Sequence, residues 1–439
     1  MTDARFTAYQ ALLAAQEGRG ASSVTKDVLD KYSYLDNKDR RFIKRLIEGT
    51  IERRVTLDHV LDLYSSIPAR KMKKQVRTLL RMGAYQILYM DGVSDHAAVN
   101  ETVKLAKKTP VRNLSGFING VLRTVSSEKD KIPWPDRERD IIKYMSVMYS
   151  CPEWIVDMLI RQQTAERAEA LLKLSVSTRK ISARVNLSVS TVDAALQKCN
   201  ADRSGILDEA IILKDYDNIT DIPAFADGTI SIQDISSMLV CHVAGIKKDD
   251  TVLDLCAAPG GKSLHAADIA TKGKVIARDV SEKKLAAIRD NVNRCGFTNI
   301  EVVCGDATVY CEDLEECADI VIADVPCSGL GVMGRKNDIK YNLTPEAIDE
   351  LAALSRKILA NAARYVKRGG ILMFSTCTLT LAENQQNARF LAEECNLTPV
   401  DFYNDLPEKL RDDTAKEGYL QLYGKDLATD GFFIGKFRK

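Results

Sequence analysis

The stretch Thr251–Lys262, TVLDLCAAPGGK, leaves this part of the chain few ways to fold. Val252-Leu253-Asp254-Leu255 is a short apolar run around a carboxylate, which predicts a fully buried strand. Cys256-Ala257-Ala258-Pro259-Gly260-Gly261-Lys262 predicts a tight turn into an amphipathic helix over Ser263–Ala270. A buried parallel strand, a turn of small residues and a helix N-terminus together let a cofactor approach the backbone. Which cofactor, the turn alone leaves open.

Beyond Thr251 the chain alternates strands and helices, the pattern of a doubly wound α/β (Rossmann-like) sheet. Strands are expected at Val252–Leu255, Lys274–Asp279, Ile300–Val303, Asp319–Ala323 and Ile371–Phe374. A helix capped by Ser281 is expected to end at Cys295, and a long helix after Pro345 to stop at Gly369-Gly370. A closing hairpin is expected around Gly431–Gly435. Open parallel sheets bind ligands at the carboxyl ends of their strands. Those ends, with the loops after them, carry Asp254, Asp279, Asp306, Asp324 and Cys377. One terminal Asp is ordinarily a helix cap, but five functional side chains along one edge are hard to explain by capping.

Asp279 stands eighteen residues beyond Gly261, a suitable place to accept hydrogen bonds from a ribose. A dinucleotide would use it equally, but the turn lacks GxGxxG. Gly261-Lys262-Ser263 mimics the end of a P-loop, yet Cys256 stands where that motif needs glycine. A turn with no phosphate to cradle and an acid for ribose fits S-adenosylmethionine.

Eleven cysteines occur without a CxxC pair, against a disulfide framework or a zinc ribbon, and no metal is expected. Most are then small buried hydrophobes. Cys327 and Cys377 differ, because they end adjacent strands about 4.8 Å apart. Beside Asp324, with Pro326 holding the backbone extended, a thiolate there could act as a nucleophile.

A chain of 439 residues calls for two or three domains. Residues Arg5 to about Val125 show helical apolar stripes, with breaks at Gly18–Gly20, Ser65–Pro68 and Asp91-Gly92. Met1–Asp130 holds 23 Lys and Arg against 15 Asp and Glu, net +8, whereas the remainder holds 39 against 46, net −7. A basic leading segment on a mildly acidic body suggests a polyanion partner, most simply nucleic acid. Arg70, Lys73, Lys74, Arg77 and Arg81 recur at helical spacing and are expected to share a face. Reversing the charges of Arg70, Lys73 and Lys74 should weaken RNA binding and flatten its salt dependence, measured by titration at several ionic strengths. Lys129–Pro135 reads as a linker. Ile181–Asn186 and Ile211–Leu213 read as strands, and Ser190 as the cap of a helix between them. No apolar run approaches a membrane span, and MTDARFTAYQ lacks a signal peptide's apolar region, so a cytoplasmic protein is expected.

Asp39-Arg-Arg-Phe42, Met82-Gly-Ala-Tyr85-Gln-Ile-Leu88-Tyr89 and Asp95-His-Ala-Ala-Val-Asn100-Glu101 resemble the NusB-type helical RNA-binding domain. Asp254–Lys262, Asp324-Val-Pro-Cys-Ser-Gly329 and Ser375-Thr-Cys377 resemble motifs of the RNA cytosine-C5 methyltransferases. One departure is Asn337, where that family usually has Pro. The resemblance covers nearly the whole chain. It implies a NusB-like bundle over 1–130, a linker and small α+β domain over 131–225, and an S-adenosylmethionine-dependent methyltransferase domain over 226–439. Cys377 would attack C6 of the base, Cys327 would assist release, and Asp324 would hold the cytosine edge. Cys256, Ala257, Ala258, Pro259, Gly260, Gly261, Lys262, Asp279, Asp306 and Asp324 would hold the cofactor. The implied substrate is an unpaired or flipped cytosine of 16S ribosomal RNA, cytosine 967, with the enzyme a monomer. Transfer RNA methylation, and a non-catalytic RNA-binding assembly role, are the alternatives.

Overall fold

The computed structural model describes residues 3–17, 20–32, 34–177, 180–216, 218–424 and 429–439. The chain divides into two compact units: Met1–Ser177 with Met333–Asn342, and Thr178–Val332 with Leu343–Lys439. The break read at Gly18 and Arg19 lies outside the described residues.

The first unit is helical: α1 (Ala4–Ala15), α2 (Ala21–Lys31), α3 (Asn37–Glu52), α4 (Arg54–Tyr64), α5 (Lys74–Tyr89), α6 (Asp95–Lys107) and α7 (Ser115–Glu128), then α8 (Ile141–Met148), α9 (Glu153–Gln162) and α10 (Ala165–Ser175). Sequence sets these starts locally. The Asp36 carboxylate accepts from the Asp39 amide at 2.7 Å, satisfying one of the orphan donors at the start of α3. Val76, Leu79, Leu80 and Met82 of α5 enter one core with Ile43, Leu46 and Ile47 of α3. The expected basic face divides. Arg70, Lys71 and Lys73 are exposed, Arg77 is half-buried, and Arg81 is buried against Asp58 with two hydrogen bonds of 2.6 Å. Helical spacing aligned these residues, but α5 begins only at Lys74 and is the central helix, so its later arginines turn inward.

The second unit holds two sheets. The smaller runs β2 (Ala201–Arg203), β3 (Ala210–Leu213), β1 (Ile181–Val185), β4 (Ile230–Ile232), antiparallel throughout. The larger contains β5 (Thr251–Asp254), β6 (Lys274–Asp279), β7 (Ile300–Cys304), β8 (Ala318–Asp324), β9 (Val366–Thr376), β10 (Thr398–Pro399), β11 (Tyr419–Tyr423) and β12 (Gly431–Arg438). Its order is β10-β12-β9-β8-β5-β6-β7, with β11 on β12. The strands β7, β6, β5, β8 and β9 are parallel, and β12 returns antiparallel against β9 and β11. In β8, Ile320 and Ile322 enter the core on one face while Val321 and Ala323 enter that on the other. This is why the run is apolar without alternation.

Several boundaries differ from expectation. The region 131–225 is not a separate domain: its helices α8–α10 belong to the first unit and its strands β1–β3 to the second. The sheet made by β1–β3 is completed by β4, beyond the expected boundary, so it cannot close without the methyltransferase half. Gly369-Gly370 do not cap the long helix, which ends at Tyr365. They lie inside β9 at a register shift opposite Ala318 and Ile320, where Gly369 takes φ +79°. The helix after β1 is capped by Thr191 rather than Ser190, and Ser281 holds its cap position without a side-chain hydrogen bond.

Candidate active site

The turn Cys256–Lys262 is stitched to both neighbouring strands. Leu255 N donates to Ile322 O at 3.0 Å, and Ala257 N to Arg278 O at 2.8 Å. Ala258-Pro259 is cis, and Gly260 takes φ +106°, a conformation open to glycine but strained for any side chain. The helix Gly261–Ile269 then begins, and Ser263 Oγ donates to Asp254 Oδ2 at 2.6 Å. Asp254 is 1% exposed and its Oδ1 has no partner. Burial pushes its carboxyl up to about 6, against the opposing pull of Ser263 and Lys262. Asp279 Oδ2 accepts from Ala258 N at 3.2 Å. Its other oxygen faces Lys284 at 3.4 Å without a hydrogen bond.

Lys262 reaches from the first turn of that helix to the end of β8, where its Nζ donates to Asp324 Oδ2 at 2.7 Å. Ser375, the register partner of Asp324 on β9, donates to Oδ1 at 2.8 Å. Burial opposes the Lys262 charge, but the attraction of Asp324 outweighs it and holds the amine above its ordinary value. The ammonium also sits 5.3 Å from the centre of the Phe432 ring.

A cavity of about 250 Å³ is lined by Asp254, Cys256, Lys262, Asp324, Cys377 and Phe432, among others. Ala257, Ala258, Pro259 and Gly261 complete the turn's share of its wall. Cys327 Sγ lies 3.4 Å from Cys377 Sγ. The hydrogen bond to Cys377, followed by burial and the charges of Glu383 and Asp324, pushes the Cys327 thiol well up. Cys327 is thus an S–H facing a second sulfur. Burial likewise raises the Cys256 thiol, which makes it a poor nucleophile. The structure does not bring all expected residues together. Asp306 is exposed, and its carboxylate caps its own loop through Thr308 N at 2.8 Å and Oγ1 at 2.7 Å. Asp279 holds the turn at Ala258.

Residues 242–438 match the family described as 16S rRNA methyltransferase RsmB/F, and residues 2–127 match the NusB family. The chain is 34% identical over 446 residues to the probable ribosomal RNA small subunit methyltransferase B of Bacillus subtilis (strain 168), covering 100% of this chain and 99% of that one. The chain belongs to the ribosomal RNA small subunit methyltransferase B family. The Sodalis glossinidius member is 32% identical, covering 92% of this chain and 91% of its own. The solved structure of PH0851 superposes with a TM-score of 0.80 at 22% identity over 100% of this chain and 99% of that one, a likeness of fold.

The family's methyl donor is S-adenosylmethionine. Its hydroxyls and ammonium supply a donor of the kind that Asp254 Oδ1, at the cavity wall, lacks, so the residues present fit it. Sequence reasoning missed the network that holds the cysteines of this family member. Glu383, fully buried, accepts from Ser328 N and Ser328 Oγ at 2.6 Å each, and from Thr380 Oγ1 at 2.7 Å. Ser328 Oγ and Thr378 Oγ1 are 2.6 Å apart. One carboxylate therefore joins the residue after Cys327 to the residue after Cys377. Asn384 holds the other flank, accepting from Thr376 Oγ1 at 2.5 Å and donating to Thr378 O at 3.0 Å. Gly331 N donates to Cys377 O at 2.9 Å, and a Cβ on Gly331 would fall 1.9 Å from Gly431 O. The available signal was the polar run Thr378–Asn387 directly after the cysteine, whose burial no local pattern reveals.

Proposed function

We propose that the enzyme methylates C5 of a cytosine in 16S ribosomal RNA through a covalent adduct between Cys377 and C6 of the base. The observation that carries this reading is the pair of sulfurs 3.4 Å apart, of which Cys377 lines the cavity that also presents Asp324 and Lys262. Cytosine C5 is a weak nucleophile. Adding the Cys377 thiolate to C6 pushes the C5=C6 electron pair onto C5, which can then take a methyl group. S-adenosylmethionine supplies that methyl as an electrophile on sulfonium and leaves as the neutral sulfide.

The chain's own groups are placed to assist. The S–H of Cys327 stabilises a thiolate on Cys377. Asp324 accepts from the exocyclic amino group of the flipped base, and the Lys262 ammonium offsets the charge that the adding thiolate brings. Once Cys377 is bonded to carbon, the largest influence holding the Cys327 thiol up is removed. Cys327 can then release its own proton to solvent and, as the thiolate, accept the C5 proton. The C5=C6 bond re-forms and the C6–S bond breaks to return Cys377 as thiolate. Asp279, Asp306 and the Cys256–Lys262 turn would seat the donor. The proposed nucleotide is cytosine 967.

Replacing Cys327 with alanine should therefore stop the reaction after methylation. A protein–RNA adduct stable to denaturing gel electrophoresis is expected to accumulate, and free product with normal turnover would overturn the release role. Bisulfite sequencing of RNA from a deletion strain locates the target. Loss of a transfer RNA site instead would redirect the assignment.

A further inference from the structure

Within the first unit, a cavity of about 320 Å³ lies among α1, α3, α4, α5 and the segment Met333–Asn342. Three guanidinium groups line it: Arg54, Arg77 and Arg81. Among the described residues, only Arg81 of the three has a direct ion pair, through its two hydrogen bonds to Asp58. Arg54 stacks over the Tyr341 ring at 5.0 Å. Arg77 reaches one carbonyl, Ala69 O, at 3.5 Å, and its Nε is buried without a partner. The cavity's carboxylate, Asp338, is engaged in accepting from Ala21 N at 2.7 Å at the start of α2. Arg54 and Arg77 both have depressed affinity for their protons, through burial first and then through the charge of Arg81. Like charges gathered in a partly desolvated cavity repel, and an anion inside would relieve them.

We propose that this cavity binds a phosphodiester of the RNA substrate. A linear polyanion is favoured over a lone ion by what leads to the cavity. Arg70 and Lys71 are exposed in the turn whose Ala69 carbonyl holds Arg77, and Lys73 is exposed just before α5. That basic track continues into the cavity. The wall contributed by Leu12 and Ile51 is apolar and suits a ribose or base better than a hydrated ion. Asp338 and Tyr341, which line the cavity, belong to a stretch that begins six residues after Cys327. RNA held here would bear on the strand of chain that carries one of the two cysteines.

The proposal rests on RNA being the substrate and not on the cysteine chemistry. Its test is the full chain with Arg54→Gln and Arg77→Gln together, binding a labelled 16S ribosomal RNA fragment at several salt concentrations. Affinity should fall roughly tenfold or more, and the salt slope should flatten by about one to two. The melting temperature of the RNA-free variant should be equal or higher, because repulsion has been removed. Unchanged affinity and slope would overturn the site. So would a lower melting temperature accompanying the lost affinity, which marks a structural role. Stabilisation of the parent but not the variant by millimolar inorganic phosphate, with RNA affinity unaffected, would assign the cavity to a free anion instead. If the parent does not bind the fragment, the RNA reading itself has failed. If the parent binds and the variant binds equally, only this site has.

Discussion

Replacing Cys377 with alanine is expected to lower turnover by roughly 10³-fold or more, about 4 kcal/mol of lost transition-state stabilisation. The reason is chemical. Without addition at C6, cytosine C5 stays a weak nucleophile, and positioning alone does not make it a strong one. S-adenosylmethionine affinity should stay within about twofold, because the donor contacts assigned here lie at Asp254, Asp279 and the turn. Isothermal titration with the donor and single-turnover methylation of the RNA fragment measure the two effects separately. Substantial residual methylation would remove Cys377 as nucleophile.

The second large effect is expected at Glu383. Substitution by alanine leaves Ser328 N and Thr380 Oγ1 buried without their acceptor, while Ser328 Oγ keeps only Thr378 Oγ1. Each buried unsatisfied group costs about 1–3 kcal/mol, so the variant should lose roughly 3 kcal/mol or more of stability. Denaturant unfolding reads that loss. Glu383→Gln is the sharper probe, because it keeps the volume and removes the charge. The hydrogen bond to Cys377 and burial do most to hold the Cys327 thiol up, and the Glu383 charge adds to them. With that charge gone the thiol should ionise more easily. The alkaline limb of the pH–rate profile should therefore move to lower pH, and turnover should drop by about tenfold or more if loop register matters. An unmoved limb with normal turnover would reduce Glu383 to a packing residue.

Parts of this site were legible because their signals are local. The runs at Val252–Leu255 and Asp319–Ala323 are buried on both faces, so composition alone marks them as strands, and a carboxylate at a strand end needs no tertiary information to be noticed. The same logic is ambiguous at Asp306, because an Asp two residues past a strand caps its own loop as readily as it faces a ligand. It also misplaced Gly369-Gly370, since glycine serves helix caps and strand irregularities alike, and only the pairing with β8 separates them.

By itself, then, the amino-acid sequence determined the parallel strand order's ingredients, the cofactor turn, the cysteine pair and the helical basic front. Each is written in neighbouring residues through burial periodicity, turn chemistry or charge. Tertiary structure alone decided that Glu383, 56 residues beyond Cys327, joins the two cysteine loops, and that Arg81 turns inward to Asp58. It also decided that Met333–Asn342 leaves the methyltransferase half to complete the helical unit, burying Lys340 and tying the Tyr341 hydroxyl to Glu52 O at 2.8 Å. These are contacts between residues far apart in the chain. No local pattern encodes a partner, only the tendency to be buried, and the path of the backbone chooses who is met there.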